Sequence, residues 1–306
     1  MKKLFHIKIF TFSALLALIV SACEDVVQVG LGHSDIDLVS VEAYINTKAR
    51  NNIYVKLEYT LPVDQAETNP PIHNAVVTIS DDAGEPNTVT LEEYNSTGIY
   101  ILPQRAQYIA ETGRNYQLHI TLPDGVEISG SDYLQAMEPL DSVKVNLSAR
   151  GDYEYLAVFI NTQETPGPGD YYKWDIFING AFLYESQNLM IASDEFVEGN
   201  YIYDFEIFTD FALDDEDKVL LKGDTVTVEQ SSISKTAYDF YTGMLNQAFS
   251  GSPYSVPPAN LPGNLISSDG KKVLGIFSAR DVSVGNIVII GDSNYQPLAS
   301  RVPGSN

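Results

Sequence analysis

The sequence predicts a mainly β protein of two β-sandwich, immunoglobulin-like domains, the second carrying one amphipathic helix. Three observations lead there. Short runs alternate apolar and polar residues with period two and are separated by turn residues. One stretch alone repeats at three and four residues, and the 284 residues that follow position 22 of the 306 exceed one comfortable hydrophobic core.

Residues 1–22 read as a lipoprotein-type signal peptide. Lys2, Lys3 and Lys8 flank an apolar run from Ile9 to Val20 that is broken only by Thr11 and Ser13. This run falls well short of the roughly 20 apolar residues that a spanning helix needs. It ends Leu18-Ile19-Val20-Ser21-Ala22-Cys23, which resembles the lipobox of bacterial lipoprotein precursors. The expectation is cleavage between Ala22 and Cys23 and acylation of Cys23, the only cysteine in the chain. Each buried acyl methylene contributes about 0.8 kcal/mol, so two or three chains hold a protein at a membrane surface. Residues 23–36, with Gly30 and Gly32, form a tether.

The first domain, 37–138, begins where alternation begins. Val39, Val41, Ala43 and Ile45 share one face of a strand, and Ile53, Val55, Leu57 and Tyr59 share a face of the next. Further strands are expected at 75–80, 89–94, 98–102 and 116–122, and the turn Pro123-Asp124-Gly125 joins the last to 126–129. The second domain, 139–306, resumes at 143–147, 156–161 and 171–178. Asn179-Gly180 is a two-residue hairpin signal of type I′. Strands at 201–208 and 225–229 lead to the helix, near 234–249, where Ala237, Phe240, Tyr241, Met244, Leu245 and Ala248 recur at helical spacing. Ser232 or Ser234 can cap its start, and strands at 273–279 and 286–290 close the domain.

Charge restricts the partners. Without residues 1–22 the chain carries 15 basic and 41 acidic residues, a net charge of −26. No basic stripe offsets it, so phosphate backbones are repelled and nucleic acid is not an expected partner.

One order of features is familiar as a whole. It comprises a lipoprotein Cys followed by acids, then Gly98-Ile99-Tyr100 and Asn115-Tyr116-Gln117-Leu118. It ends in the tail Ser252-Pro253-Tyr254-Ser255-Val256-Pro257-Pro258-Ala259-Asn260-Leu261-Pro262-Gly263-Asn264-Leu265 and Leu274-Gly275-Ile276-Phe277-Ser278-Ala279. It resembles the Bacteroidota outer-membrane lipoprotein family catalogued as domain of unknown function 4249. Ile276 stands where that resemblance leads one to expect an aromatic. The resemblance implies a cell-envelope protein, often encoded beside TonB-dependent outer-membrane receptors, and carries over no catalytic residues. Glu24-Asp25 resembles the acidic signal that exports such lipoproteins to the cell surface.

Catalytic constellations are scarce. His33, His73 and His119 are isolated, and His119 alternates with Leu118 and Ile120 so as to face solvent, which leaves no zinc-ligand spacing. No Gly-x-Ser-x-Gly elbow is present. Ser232-Ile233-Ser234-Lys235 matches Ser-x-x-Lys, but helix capping explains it and the companion motifs are missing. Asp210, Asp214, Asp215, Glu216 and Asp217 crowd one loop without the EF-hand pattern and read as a solvated segment. Trp174 is in phase with Tyr172, Ile176 and Ile178 and belongs to the core, whereas Tyr153 and Tyr171 are the candidate ligand-facing aromatics. Asp141-Ser142-Val143 and Asp224-Thr225-Val226 resemble an O-glycosylation tripeptide, with Ser142 and Thr225 as acceptors. No cofactor, metal or catalytic residue is expected.

The resulting expectation is a non-enzymatic outer-membrane lipoprotein serving a TonB-dependent transporter by substrate capture or as a lid. The alternatives are a surface adhesin or glycan-binding module and, third, a glycan-active enzyme.

Overall fold

A computed structural model describes residues 38–61, 68–83, 87–150, 153–183, 189–212, 220, 223–248 and 261–288. The signal peptide, Cys23, Glu24, Asp25, the acidic loop at 214–217 and the proline-rich segment 253–260 lie outside the described residues.

The first half of the chain supplies β1 (Val39–Asn46), β2 (Ile53–Tyr59), β3 (Val76–Asp81), β4 (Thr88–Thr90), β5 (Glu92–Glu93), β6 (Ile99–Ile101), β7 (Asn115–Thr121) and β8 (Glu127–Tyr133). It is followed by β9 (Leu140–Arg150), β10 (Tyr153–Gln163), β11 (Tyr171–Ile178), β12 (Ala181–Phe182), β13 (Met190–Ser193), β14 (Tyr201–Ala212) and β15 (Thr225–Ser232). Helix α1 spans Lys235–Ala248. The last strands are β16 (Leu265–Ser267), β17 (Val273–Arg280) and β18 (Val282–Val288). The chain is mainly β, as expected, and the described residues belong to one compact unit.

Two sheets enclose the first core. One has the order β17-β1-β2-β6-β5 and the other β16-β8-β7-β3-β4. The alternation read from the sequence is what closes them: Val41, Ala43 and Ile45 of β1 and Val55 and Leu57 of β2 pack with Val77 and Ile79 of β3 and Leu118 and Ile120 of β7. Each of the valine, leucine and isoleucine side chains, taken fully out of water, contributes about 1.5–3 kcal/mol. His119, between Leu118 and Ile120, is exposed as its phase requires.

Residues 265–280, which the sequence groups with the second domain, complete this first sandwich. β17 pairs in parallel with β1, Val39 opposite Val273 through to Asn46 opposite Arg280, and β16 pairs with β8. The apolar face of β17, with Val273, Phe277 and Ala279, joins the first core. Gly275 makes the pairing possible: its φ is +100°, and a Cβ there would stand 1.9 Å from the Val41 carbonyl oxygen.

A second sandwich pairs the sheet β14-β10-β9 with the sheet β12-β11-β15-β18, in which β13 also pairs with β11. Leu156, Val158 and Ile160 of β10 pack against Tyr172, Trp174 and Ile176 of β11 and Val226 and Val228 of β15. Trp174 is 3% exposed, and its indole N–H donates to Gln230 Oε1 at 2.9 Å. Asn179 and Gly180 have φ values of +51° and +83°, the two left-handed residues that a type I′ turn requires, and they join β11 to β12.

Ser234 caps α1, its hydroxyl oxygen accepting the Ala237 N–H at 3.2 Å. Lys235 pairs with Asp239 one turn along at 2.6 Å. The apolar stripe, Ala237 and Phe240, meets Ile276 of β17 together with Tyr171 and Ile191 of β11 and β13. One helix therefore packs against strands of both sandwiches. Among the described residues no helix is long and apolar enough to cross a membrane.

Candidate functional site

The period-two alternation that fills the cores also dictates what faces outward. On β1 the outward set is Glu42, Tyr44 and Asn46; on β11 it is Lys173, Asp175 and Phe177; on β15 it is Thr227, Glu229 and Ser231. All nine line one cleft of about 800 Å³, with Tyr241, Met244 and Leu245 of α1 and Arg280 of β17 on its walls. That volume falls in the range of small-molecule sites.

Among the described residues, two ion pairs lie in the cleft, and Glu42 and Arg280 belong to neither. Lys48 Nζ contacts Glu229 Oε1 at 2.7 Å. Lys173, only 6% exposed, pairs with Asp175, its neighbour on the same strand face. Burial lowers the Lys173 pKa, and Asp175 opposes that loss of charge. Arg280 differs. Its Nε donates to Ser278 Oγ at 2.9 Å and its Nη2 to Tyr241 Oη at 2.7 Å, while its guanidinium carbon lies 5.0 Å from the Tyr44 ring centroid and 5.9 Å from that of Tyr241. Among the described residues no carboxylate forms an ion pair with it. Burial opposes its charge, and Tyr241, Asp175, Tyr44 and Glu42 outweigh burial and raise its pKa.

Aromatic rings complete the wall. Tyr44 and Tyr54 stack with centroids 5.4 Å apart and planes 15° from parallel, and Phe177 meets Phe182 at 5.2 Å. Partial burial, then Glu42, push the Tyr54 phenol up to about 12, so it is a neutral donor at physiological pH.

A second cluster holds Glu164, Asp170 and Asp194, all buried, with one carboxylate oxygen of each within 4.8 Å of the others. Tyr172 Oη donates to Glu164 at 3.1 Å, the Gly169 N–H to Asp194 at 2.7 Å, and Gln135 to Asp170. Burial, then the two neighbouring carboxylates, raise Asp170 to about 6. Three oxygen donors of this kind could hold a hard divalent cation, and a proton retained on Asp170 relieves the same repulsion.

The residues singled out from the sequence fall elsewhere. Tyr171 is half-buried, its ring 4.9 Å from that of Tyr238 under α1. Tyr153 lies on β10, its side chain outside the described set. Ser142 Oγ accepts from Asn161 Nδ2 at 2.9 Å on half-buried β9, and Thr225 opens β15 with its N–H on Asn179 Oδ1 at 2.9 Å. Ser232 Oγ donates to the Gln135 carbonyl at 2.6 Å and Lys235 is held by Asp239, so the Ser-x-x-Lys pair serves backbone and helix. Sequence reasoning missed Arg280, Lys173, Asp175 and Tyr44. The available signal was polar and aromatic residues in phase on the outward faces of three strands, a pattern that ordinarily marks a solvated face.

Two sandwiches, one helix packed against both and a charged, aromatic cleft make up a mainly β protein. The chain belongs to the family described as domain of unknown function (DUF4249), whose model matches residues 24–285. Among curated proteins none matches the chain.

Proposed function

We propose that this chain is a lipid-anchored outer-membrane lipoprotein that captures a small molecule in the cleft and hands it to a TonB-dependent transporter, without catalysing a reaction. The observation that carries the reading is the cleft: about 800 Å³, walled by stacked tyrosines and by the buried cations Lys173 and Arg280, 6% and 9% exposed. Solvent-facing strand surfaces rarely bury charge without a purpose, because each desolvated ion costs several kcal/mol before its partners offset it. The lipobox ending in Cys23 supports a membrane-surface location, and the resemblance to receptor-linked lipoproteins supports a transporter as partner.

The test is co-purification from outer membranes solubilised in mild detergents. The expected result is a large β-barrel receptor retained with the acylated chain and lost with Cys23→Ala. Recovery of the chain alone across several detergents would contradict a transporter partnership.

A further inference from the structure

Among the described residues, the cleft contains one desolvated cation, Arg280, whose hydrogen-bond partners are both neutral hydroxyls, with Asp175 and Glu42 acting on it only through space. Lys48 has Glu229 and Lys173 has Asp175, whereas Arg280 donates to two hydroxyls and lies near the rings of Tyr44 and Tyr241. The rings lie 5.0 and 5.9 Å from the guanidinium carbon, and the Ser278 and Tyr241 hydroxyls occupy donors on Nε and Nη2. A guanidinium has five donors in a rigid fork that matches a carboxylate, so capacity for an anion remains. The surroundings set a limit on that anion. Glu42, Asp175 and Glu229 share the cleft, in a chain of net charge −26 without its signal, so a dianion meets strong repulsion while a single negative charge is offset by Arg280. The stacked Tyr44–Tyr54 pair and Phe177 with Phe182 offer flat faces to the rest of the molecule.

We infer that the cleft binds a small molecule carrying one carboxylate on a ring-shaped body, with the carboxylate on Arg280 and the ring against the tyrosines. The inference rests on the capture reading and adds the ligand's chemical class to it. Charge-assisted hydrogen bonds to a buried guanidinium are strong enough to favour an acid over its neutral counterpart by about tenfold or more.

The experiment uses the full chain in detergent and matched probes: galacturonate against galactose, and 4-hydroxyphenylacetate against 4-hydroxyphenylacetamide. Binding is read by saturation-transfer NMR and by calorimetry. The expected result is that at least one acid binds about tenfold tighter than its neutral partner and that Arg280→Met abolishes the difference. Equal binding of acid and neutral partner, an acid preference that survives Arg280→Met, or no binding by any of the four overturns the inference. If Arg280→Met does not fold, the acid-against-neutral comparison on the unaltered chain decides alone. The two readings fail separately: a neutral probe that binds as well as its acid removes the carboxylate but leaves capture, and absence of a co-purifying barrel removes the transporter but leaves the ligand class.

Discussion

Thr47 donates its hydroxyl proton to Asp281 Oδ1 at 2.8 Å, a bond between residues 234 apart in sequence. The other carboxylate oxygen of Asp281 accepts the Met137 N–H at 3.1 Å, and its own N–H donates to Ser232 Oγ at 3.0 Å. Thr47 Oγ1 in turn accepts the Val282 N–H at 3.0 Å. The end of β1, the connection after β8, the end of β15 and the β17–β18 corner are thus tied through Asp281 and Thr47, the first two at the Asp281 carboxylate, at the place where the chain passes from one sandwich to the other. Asp281→Ala leaves the Met137 N–H and the Thr47 hydroxyl without that acceptor. The expected loss is about 2–3 kcal/mol, read as a lower urea midpoint with an unchanged slope; Asp281→Asn recovers part of it.

The Lys173–Asp175 pair predicts a strong non-additivity. Lys173→Met alone leaves a carboxylate with little solvent, and a loss of about 3–5 kcal/mol is expected. The double change Lys173→Met with Asp175→Leu removes both charges and should restore most of that stability. A double-mutant cycle by chemical denaturation checks it, and additive losses would mean that the pair is not coupled.

Asp132 gives stability a defined pH dependence. It is 8% exposed on β8, and its Oδ2 accepts the Ala279 N–H at 2.8 Å. Burial is the chief cause that lifts its pKa from the ordinary 3.8 to about 6. Because the folded value lies above the unfolded one, the folded chain holds the proton more tightly between those pH values. Stability from this group therefore falls as pH rises from about 4 to about 6 and stays reduced above that, by roughly 2–3 kcal/mol at most. Asp132→Asn keeps the acceptor and removes the ionisation. Its melting temperature should exceed that of the unaltered chain at pH 7.5 and converge with it near pH 4.

Gly275→Ala should disrupt the first sandwich. With φ at +100° and a Cβ position 1.9 Å from the Val41 carbonyl, the substitution cannot be accommodated while β17 stays paired with β1. The expected outcome is loss of the cooperative thermal transition in circular dichroism, whereas Gly125→Ala, in an open turn with nothing within 4 Å, should cost only about 1 kcal/mol of backbone strain.

Much of the architecture was legible because it is local. Period two placed Val41, Ile45, Leu118 and Trp174 in the cores, Asn179-Gly180 specified its hairpin, and the spacing of Ala237 and Phe240 specified the helix. The parallel pairing of β17 with β1 was not legible: it joins residues more than 200 positions apart, and alternation in Val273–Arg280 says which face is apolar but not which core it enters. The cleft was hidden for the same reason. Lys173 and Asp175 sit on the polar face of a strand, where solvent is the default neighbour, and only the packing of α1 and the first sandwich over that face buries them. Tyr171, chosen from the sequence as an exposed aromatic, lies half under Tyr238, whereas Tyr44 and Tyr54 gained their position from a neighbour that no pattern announced.

The most direct test of the capture account is native mass spectrometry of the full chain taken from its own cell envelope in mild detergent. Ala248 lines the cleft at the exposed end of α1, so Ala248→Trp places a bulky ring at the cleft wall without entering a core. The account predicts a bound small molecule on the unaltered chain that is missing from Ala248→Trp at equal melting temperature. An unaltered chain that carries no bound mass, or one that carries the same mass as the blocked variant, would contradict it.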